Sequence, residues 1–388
     1  MRSAIHVAGD AQKYTLLVSS VHRAPRRSAT TFPLVPPPTR SAGRRYCIVM
    51  LSAVGDAVHV LPVVIAIKRA DPQSHITWIL QQGPASLVDG HPMVDEIVRF
   101  DRSRGWRAFA DVRELFRGRH FDVVLALQDY FKAGILTAIT PASLKLGYDR
   151  ARARDANWLF TNRRIPPHAP QHIQDEYLEF ASALGIEPQP VRWELGPWDS
   201  ERAWQREFVK QLDRPIVSLV IGTSRPHKDW YAERWGELAD ALSGRYGLQP
   251  VLVGGRSSRE VATEMIIMER TRQKPISALN SGLRRLASIL DASALVISLD
   301  TGPLHMAVAL SKPVISLLGF SNPLRTGPYR ASQELIVNAY GEMWNGDRLA
   351  TDRRMDRMQT IGVADVLEKV ALWKERYADG GASSAPNS

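Results

Sequence analysis

From Tyr46 onward the chain alternates strand-length apolar runs with amphipathic stretches, and it does so twice. Tyr46-Cys47-Ile48-Val49-Met50-Leu51 is continuously apolar, as a strand buried on both faces must be. A glycine loop, Ser52-Ala53-Val54-Gly55-Asp56, leads into a helix expected over Ala57 to Arg69 with Val60, Val64, Ile67 and Lys68 at helical spacing, closed by Asp71-Pro72. Strands follow at Ile76 to Leu80, Ile97 to Phe100 and Phe121 to Leu127, with an amphipathic segment at Trp106 to Phe116. The pattern restarts with strands at Ile216 to Ile221, Val251 to Val253, Ala294 to Leu299 and Val314 to Leu318, interleaved with helices at Ala232 to Leu242, Ser258 to Arg270 and Leu283 to Leu290. Such alternation reads as parallel sheets covered by helices. The expected class is α/β, two open, doubly wound, Rossmann-like domains in tandem whose strand ends face a cleft.

The length of 388 residues suits two such domains. The boundaries read from the sequence are a basic arm at 1–44, a first domain at 45–200, a second at 201–360 and a last helix at 361–378, with Val363, Val366, Leu367, Val370 and Ala371 on one face. The proline-rich, charged stretch from Asp149 to Pro197 reads as a transition segment. No run approaches the roughly 18 to 20 apolar residues of a membrane-spanning helix. The single cysteine, Cys47, excludes an intramolecular disulfide, and no cluster of metal-ligating residues stands at suitable spacing, so no metal is expected.

The net charge of +10 invites a nucleic-acid reading until it is located. Residues 1 to 45 hold eight basic residues against Asp10 alone, so +7 sits there and the rest of the chain carries +3. With Pro25, Pro33 and Pro36-Pro37-Pro38, this arm reads as a disordered extension. Its composition also suits an organelle transit peptide, an upstream start codon or contact with anionic lipid. A nucleic-acid binder would spread basic and aromatic residues over a folded surface, so none is expected as a partner.

Three loops follow strand ends, where open α/β sheets bind ligands. In the first, Asp56 is either a helix cap or a base in the cleft. The second, Gly222-Thr223-Ser224-Arg225-Pro226-His227-Lys228-Asp229-Trp230, offers the donors and fixed positive charge that a diphosphate needs, or is a solvated turn. It is not a Walker A loop, because His227 stands where the second glycine belongs and Asp229 follows the lysine. The third, Asp300-Thr301-Gly302-Pro303-Leu304-His305-Met306-Ala307, opens a helix with Pro303 in its first turn. It is either a well-capped helix with a packed imidazole or an anion site at a helix N-terminus. No Gly-x-Gly-x-x-Gly occurs, which counts against a dinucleotide oxidoreductase.

In this order the three loops resemble those of the family 9 glycosyltransferases, the bacterial ADP-heptose:lipopolysaccharide heptosyltransferases. The resemblance spans about residues 45 to 330, with weaker matches at Leu127-Gln128 with Lys132 and at His172 with Tyr177 and Leu184-Gly185. Gly222-Thr223-Ser224-Arg225 followed by Lys228 and Trp230 looks more like the enzyme that adds the first heptose. The resemblance implies a GT-B fold with a final helix that crosses back between the domains. It implies an inverting, metal-independent transfer from ADP-L-glycero-D-manno-heptose to the Kdo inner core of lipopolysaccharide. Asp56 falls on the catalytic base; Thr223, Ser224, Lys228, Asp300, Thr301, Gly302 and His305 on donor-binding positions; Gly55, His59 and Lys132 on acceptor-binding positions. The ADP-sugar is then a co-substrate, with no further cofactor. The acceptor is an anionic glycolipid, and the setting is the cytoplasm, with peripheral attachment to the inner-membrane surface. Two departures from the family pattern stand out: Gly254-Gly255 is followed by Arg256, with Glu260 further on, and Gln128-Asp129 replaces Gln-Gly. The alternatives are a transferase of the same fold with another nucleotide-diphosphate sugar or glycan acceptor, and a non-catalytic nucleotide-binding module that needs the second and third loops but not Asp56.

Overall fold

The computed structural model describes residues 43–378, so the arm assigned to 1–44 lies, through residue 42, outside the described residues. The first sheet comprises β1 (Arg45–Val49), β2 (His75–Leu80), β3 (Glu96–Arg99), β4 (Phe121–Ala126), β5 (Ala142–Gly147) and β6 (Arg163–Arg164), in the spatial order β3-β2-β1-β4-β5-β6. All its pairings are parallel. Its helices are α1 (Val54–Ala70), α2 (Gln82–Val88), α3 (Trp106–Leu115), α4 (Phe131–Ile139) and α5 (Ile173–Ala183).

The second sheet repeats the plan. It contains β7 (Ile216–Val220), β8 (Gln249–Val253), β9 (Ile276–Ser277), β10 (Leu295–Leu299), β11 (Val314–Leu318) and β12 (Ile336–Asn338), ordered β12-β11-β10-β7-β8-β9 and again parallel. Its helices are α6 (Asp199–Lys210), α7 (Ala232–Tyr246), α8 (Ser258–Arg270), α9 (Leu283–Ala292), α10 (Gly302–Ala309), the short α11 (Pro323–Thr326) and α12 (Val363–Trp373). In each half the strand order reverses beside the first strand, between β1 and β4 and between β7 and β10. The loop with Asp56 follows β1, the loop with Lys228 follows β7, and the loop with Asp300 follows β10, so all three motifs stand at the topological switch points.

Three expectations change. Helix α1 starts at Val54, so Gly55 and Asp56 belong to its first turn and not to a loop. It is buried on every side from Ala57 to Ile67, because the sheet covers one flank and the second half the other. The proline- and charge-rich stretch after Asp149 contains α5, whose Tyr177, Phe180, Ala181 and Leu184 join the core at helical spacing. The last helix does not cross back: Val366, Val370 and Trp373 of α12 pack with Val217, Trp235 and Leu238 in the core of the second half. Among the described residues no helix is long and apolar enough to cross a membrane.

The halves meet where the first turns of α1 and α10 pack against each other. A Cβ on Gly55 would lie 2.9 Å from the His305 ring, and one on Gly302 would lie 3.0 Å from Val54, so both positions need glycine. Deeper in the same seam the rings of His59 and His305 stand 4.3 Å apart, and His172 stands 5.9 Å from His59. Around them, Arg325 pairs with Glu176 at 2.6 Å, the Tyr329 hydroxyl donates to Asp175 at 2.6 Å, and Arg284 donates to the Leu87 carbonyl at 3.1 Å. These contacts bind the halves into one packed body.

Burial holds all three imidazoles neutral, with His59 pushed down to about 4 from an ordinary 6.5. The unfolded chain therefore binds protons on these groups at a higher pH than the folded chain. Their contribution is complete above about pH 6.5 and is lost as the pH falls toward 4, costing about 2 kcal/mol for His59 alone between pH 7 and 5. Unfolding free energies of the parent and of His59→Gln, measured between pH 7 and 5, should give a shallower slope for the variant. Equal slopes would show that His59 does not titrate as described.

Candidate active site

Asp56 is the third residue of α1, and the cap position belongs to Ala53. The Ala53 N–H donates to Oδ2 of Asp56 at 2.8 Å, so the side chain reaches back over the helix start, the carboxylate half of a capping box. From α5 the Tyr177 hydroxyl donates to Oδ1 at 3.0 Å. Both bonds orient the carboxylate, which is half-buried. Burial pushes its pKa above the ordinary aspartate range, while the Ala53 N–H, the Tyr177 hydroxyl and the positive charge of Lys228 pull it down. The net shift is upward, which makes Asp56 more basic than a free aspartate. Tyr177 is buried beside this carboxylate, and its own pKa is driven well above its usual value, so it stays a hydrogen-bond donor.

The strand end leading to Asp56 is fixed by Gln128, which follows β4. Its Oε1 accepts from the Leu51 N–H at 2.7 Å and its amide donates to the Ser52 carbonyl. One side chain thus ties together the two strands that flank the switch point.

Across the seam, Lys228 donates to Oδ2 of Asp300 at 2.7 Å and stands 5.5 Å from the Phe320 ring centre. Its partner lies one residue before Thr301, the N-cap of α10. No side-chain hydrogen bond caps that helix, and Thr301, Gly302 and Pro303 at its start are half-buried, Gly302 lying against Val54 of α1. Ser224 is exposed on the β7 loop. Thr223 is not free: its hydroxyl lies 2.7 Å from both the Arg225 carbonyl and the Asp229 carboxylate, and it accepts from the Arg225 N–H. Thr223 therefore shapes the loop, and Arg259 pins the same Asp229 at 2.7 Å.

The anticipated acceptor and donor histidines both lie buried in the seam. His59, expected to face the acceptor, is 3% exposed, with Nδ1 3.0 Å from Oε1 of Gln174. His305 is enclosed between His59 and Gly55, and its Nδ1 has no partner. Both support the seam beneath the site. Gly55 allows the close approach of α10, and Lys132 is exposed near the start of α4.

The Gly254-Gly255 strand end carries no acidic residue of its own and is met by one from α8. Glu260 folds back so that Oε1 accepts the Gly255 N–H at 2.7 Å and Oε2 accepts the Ser257 N–H at 2.9 Å. A Cβ on Gly222 would lie 2.2 Å from its Cγ, so Gly222 makes room for this carboxyl group between the ends of β7 and β8. Among the described residues no group of three His, Cys, Asp or Glu side chains is arranged to hold a metal ion. The sequence reading noted Tyr177 only as a weak motif match and missed its contact with Asp56, the role of Gln174 and the placement of Glu260. The apolar spacing of α5 was the available signal for the first two.

Residues 110–353 match the family model described as glycosyltransferase family 9 (heptosyltransferase). The chain is 30% identical over 302 residues to the lipopolysaccharide core heptosyltransferase OpsX of Haemophilus influenzae, covering 78% of this chain and 86% of that protein. Proteins named lipopolysaccharide heptosyltransferase 1, 2 and 3 also match, at 27% identity or less. Among solved structures, a family 9 glycosyltransferase from Veillonella parvula superposes with a TM-score of 0.72 at 22% identity, covering 86% of this chain and 98% of that one. The Escherichia coli heptosyltransferase WaaC with ADP gives 0.65 at 24% identity, covering 86% and 99%. With the family-model match over residues 110–353 and a 30% identical relative covered over 86% of its length, this chain belongs to glycosyltransferase family 9, the heptosyltransferases, and has the GT-B fold.

Proposed function

We propose that the chain transfers heptose from ADP-L-glycero-D-manno-heptose to the Kdo inner core of lipopolysaccharide, with inversion and without a metal, at the cytoplasmic face of the inner membrane. The observation that carries this reading is the opposition of two groups across one seam. Asp56, a carboxylate with a raised pKa, stands at the switch point of the first sheet, and a lysine beside a helix N-terminus with no side-chain cap stands at that of the second. Direct displacement at an anomeric carbon needs those two things, a proton acceptor and a sink for departing negative charge.

In this mechanism Asp56 takes the proton of the acceptor hydroxyl as its oxygen bonds to the anomeric carbon. The bond from that carbon to the diphosphate oxygen breaks, and its electron pair leaves with ADP. Lys228 and the first turn of α10 take up the charge. Lys228 is held by Asp300 at 2.7 Å, so donor binding redirects an ion pair that already positions the ammonium group. Glu260, folded back between the ends of β7 and β8, takes the place of the acidic residue missing after Gly254-Gly255. Addition of the first heptose is favoured by the Gly222-Thr223-Ser224-Arg225 form of the loop.

Incubation with ADP-heptose and Kdo-lipid A in excess EDTA should give a product heavier by one heptose, seen by mass spectrometry, with release of ADP. Transfer from another nucleotide sugar only, or none without added metal, would contradict the proposal. A second outcome concerns Tyr177. Its hydroxyl lowers the pKa of Asp56, so Tyr177→Phe should raise that pKa further and move the acid limb of the kcat/KM profile to higher pH. An unmoved acid limb would show that Tyr177 does not tune the base.

A further inference from the structure

The carboxyl edge of the first sheet carries three large apolar side chains in water. Trp106 is 72% exposed, Phe131 48% and Leu159 62%. Trp106 and Phe131 are the first residues of α3 and α4, so both stand on the edge that also carries the Asp56 turn, because helices of a parallel sheet begin where its strands end. The two helices are neighbours, their Ala108, Val112, Ala133 and Leu136 sharing one core cluster. Leu159 is tied to the same edge: Asn157 donates to the Tyr130 carbonyl at 2.9 Å, and Phe160 packs edge-on against Phe131 at 5.5 Å.

These tips are surrounded by cations. Arg102, Arg104 and Arg107 fall within six residues that contain no acid. Arg163 and Arg164, which pair with the end of β5, are both exposed. Arg150 and Arg164 flank the Trp158 ring at 4.3 and 5.4 Å. Among the described residues Arg104 is paired with Asp111, whereas Arg102, Arg107, Arg163 and Arg164 have no carboxylate at ion-pair distance. Separate apolar tips set among unpaired arginines do not make the continuous apolar face that a protein partner would bury. They match a bilayer interface, where aromatic and aliphatic tips enter the acyl boundary and arginines meet anionic headgroups.

We propose that this rim, with Trp106, Phe131 and Leu159 as its inserted tips, docks the enzyme on an anionic bilayer surface. The choice of partner rests on the lipid-anchored acceptor proposed above. Docking there sets the Asp56 edge against the headgroup layer, so an acceptor can reach the base while its acyl chains stay in the membrane. The site is part of the folded body and is separate from the basic arm.

The test is co-sedimentation of the full chain with phosphatidylcholine vesicles, with and without phosphatidylglycerol, in the absence of donor and acceptor. Binding can therefore succeed or fail independently of the transfer reaction. The parent should bind the anionic vesicles and not the neutral ones. The triple variant Trp106→Ser, Phe131→Ser, Leu159→Ser should lose about tenfold or more of that binding with an unchanged melting curve, since all three side chains are exposed. An arm variant, Arg23→Gln, Arg26→Gln, Arg27→Gln, Arg40→Gln, should keep most of it. Undiminished binding by the triple variant, binding lost only in the arm variant, or equal binding of the parent to neutral vesicles would overturn the proposal.

Discussion

The close packing of the first turns of two helices is the constraint on which the site depends. Gly55 in the first turn of α1 and Gly302 in the first turn of α10 let two positive helix ends approach more closely than any side chain would allow. That approach brings Asp56 into the electrostatic reach of Lys228, although the two belong to different sheets. The penalty is a seam of buried polar groups, and it is met with neutral imidazoles, a glutamine and charged pairs at the rim. His59 illustrates this: its ring lies 3.0 Å from Gln174 and packs against the His305 ring at 4.3 Å.

Much of this was legible in the sequence, for a local reason. The continuous apolar run at 46–51 and the runs at 216–221 and 294–299, each broken only by one serine, mark the central strands, and residues directly after a central strand must stand at its carboxyl end. Asp56, Lys228 and Asp300 were found by that logic. What could not be read were contacts between segments far apart in the chain. Tyr177 reaches Asp56 across 121 positions, and nothing near either residue announces the pairing. Helix α5 was obscured because charge and proline density marked its surroundings as a linker, although its core spacing was present. His59 and His305 lie in two separate motifs, and only the folded chain shows that their rings meet in the seam. The last helix was expected to cross back, but its apolar face is satisfied by α7 and the second sheet.

The site and the outer rim describe one working surface. The edge that holds the base also carries the exposed tips of α3 and α4, while the opposite helices of the first sheet are buried against the second half. A lipid-linked acceptor and a water-soluble nucleotide sugar would thus approach from different sides of the seam.

Everything turns on whether Asp56 acts as a base or only finishes a helix start. Asp56→Asn keeps an oxygen for the Ala53 N–H and nearly the same shape, and removes the proton acceptor. Steady-state turnover of this variant, read beside its melting curve and ADP titration, should fall by about two to four orders of magnitude while stability and ADP affinity stay near those of the parent. Near-normal turnover would contradict the account.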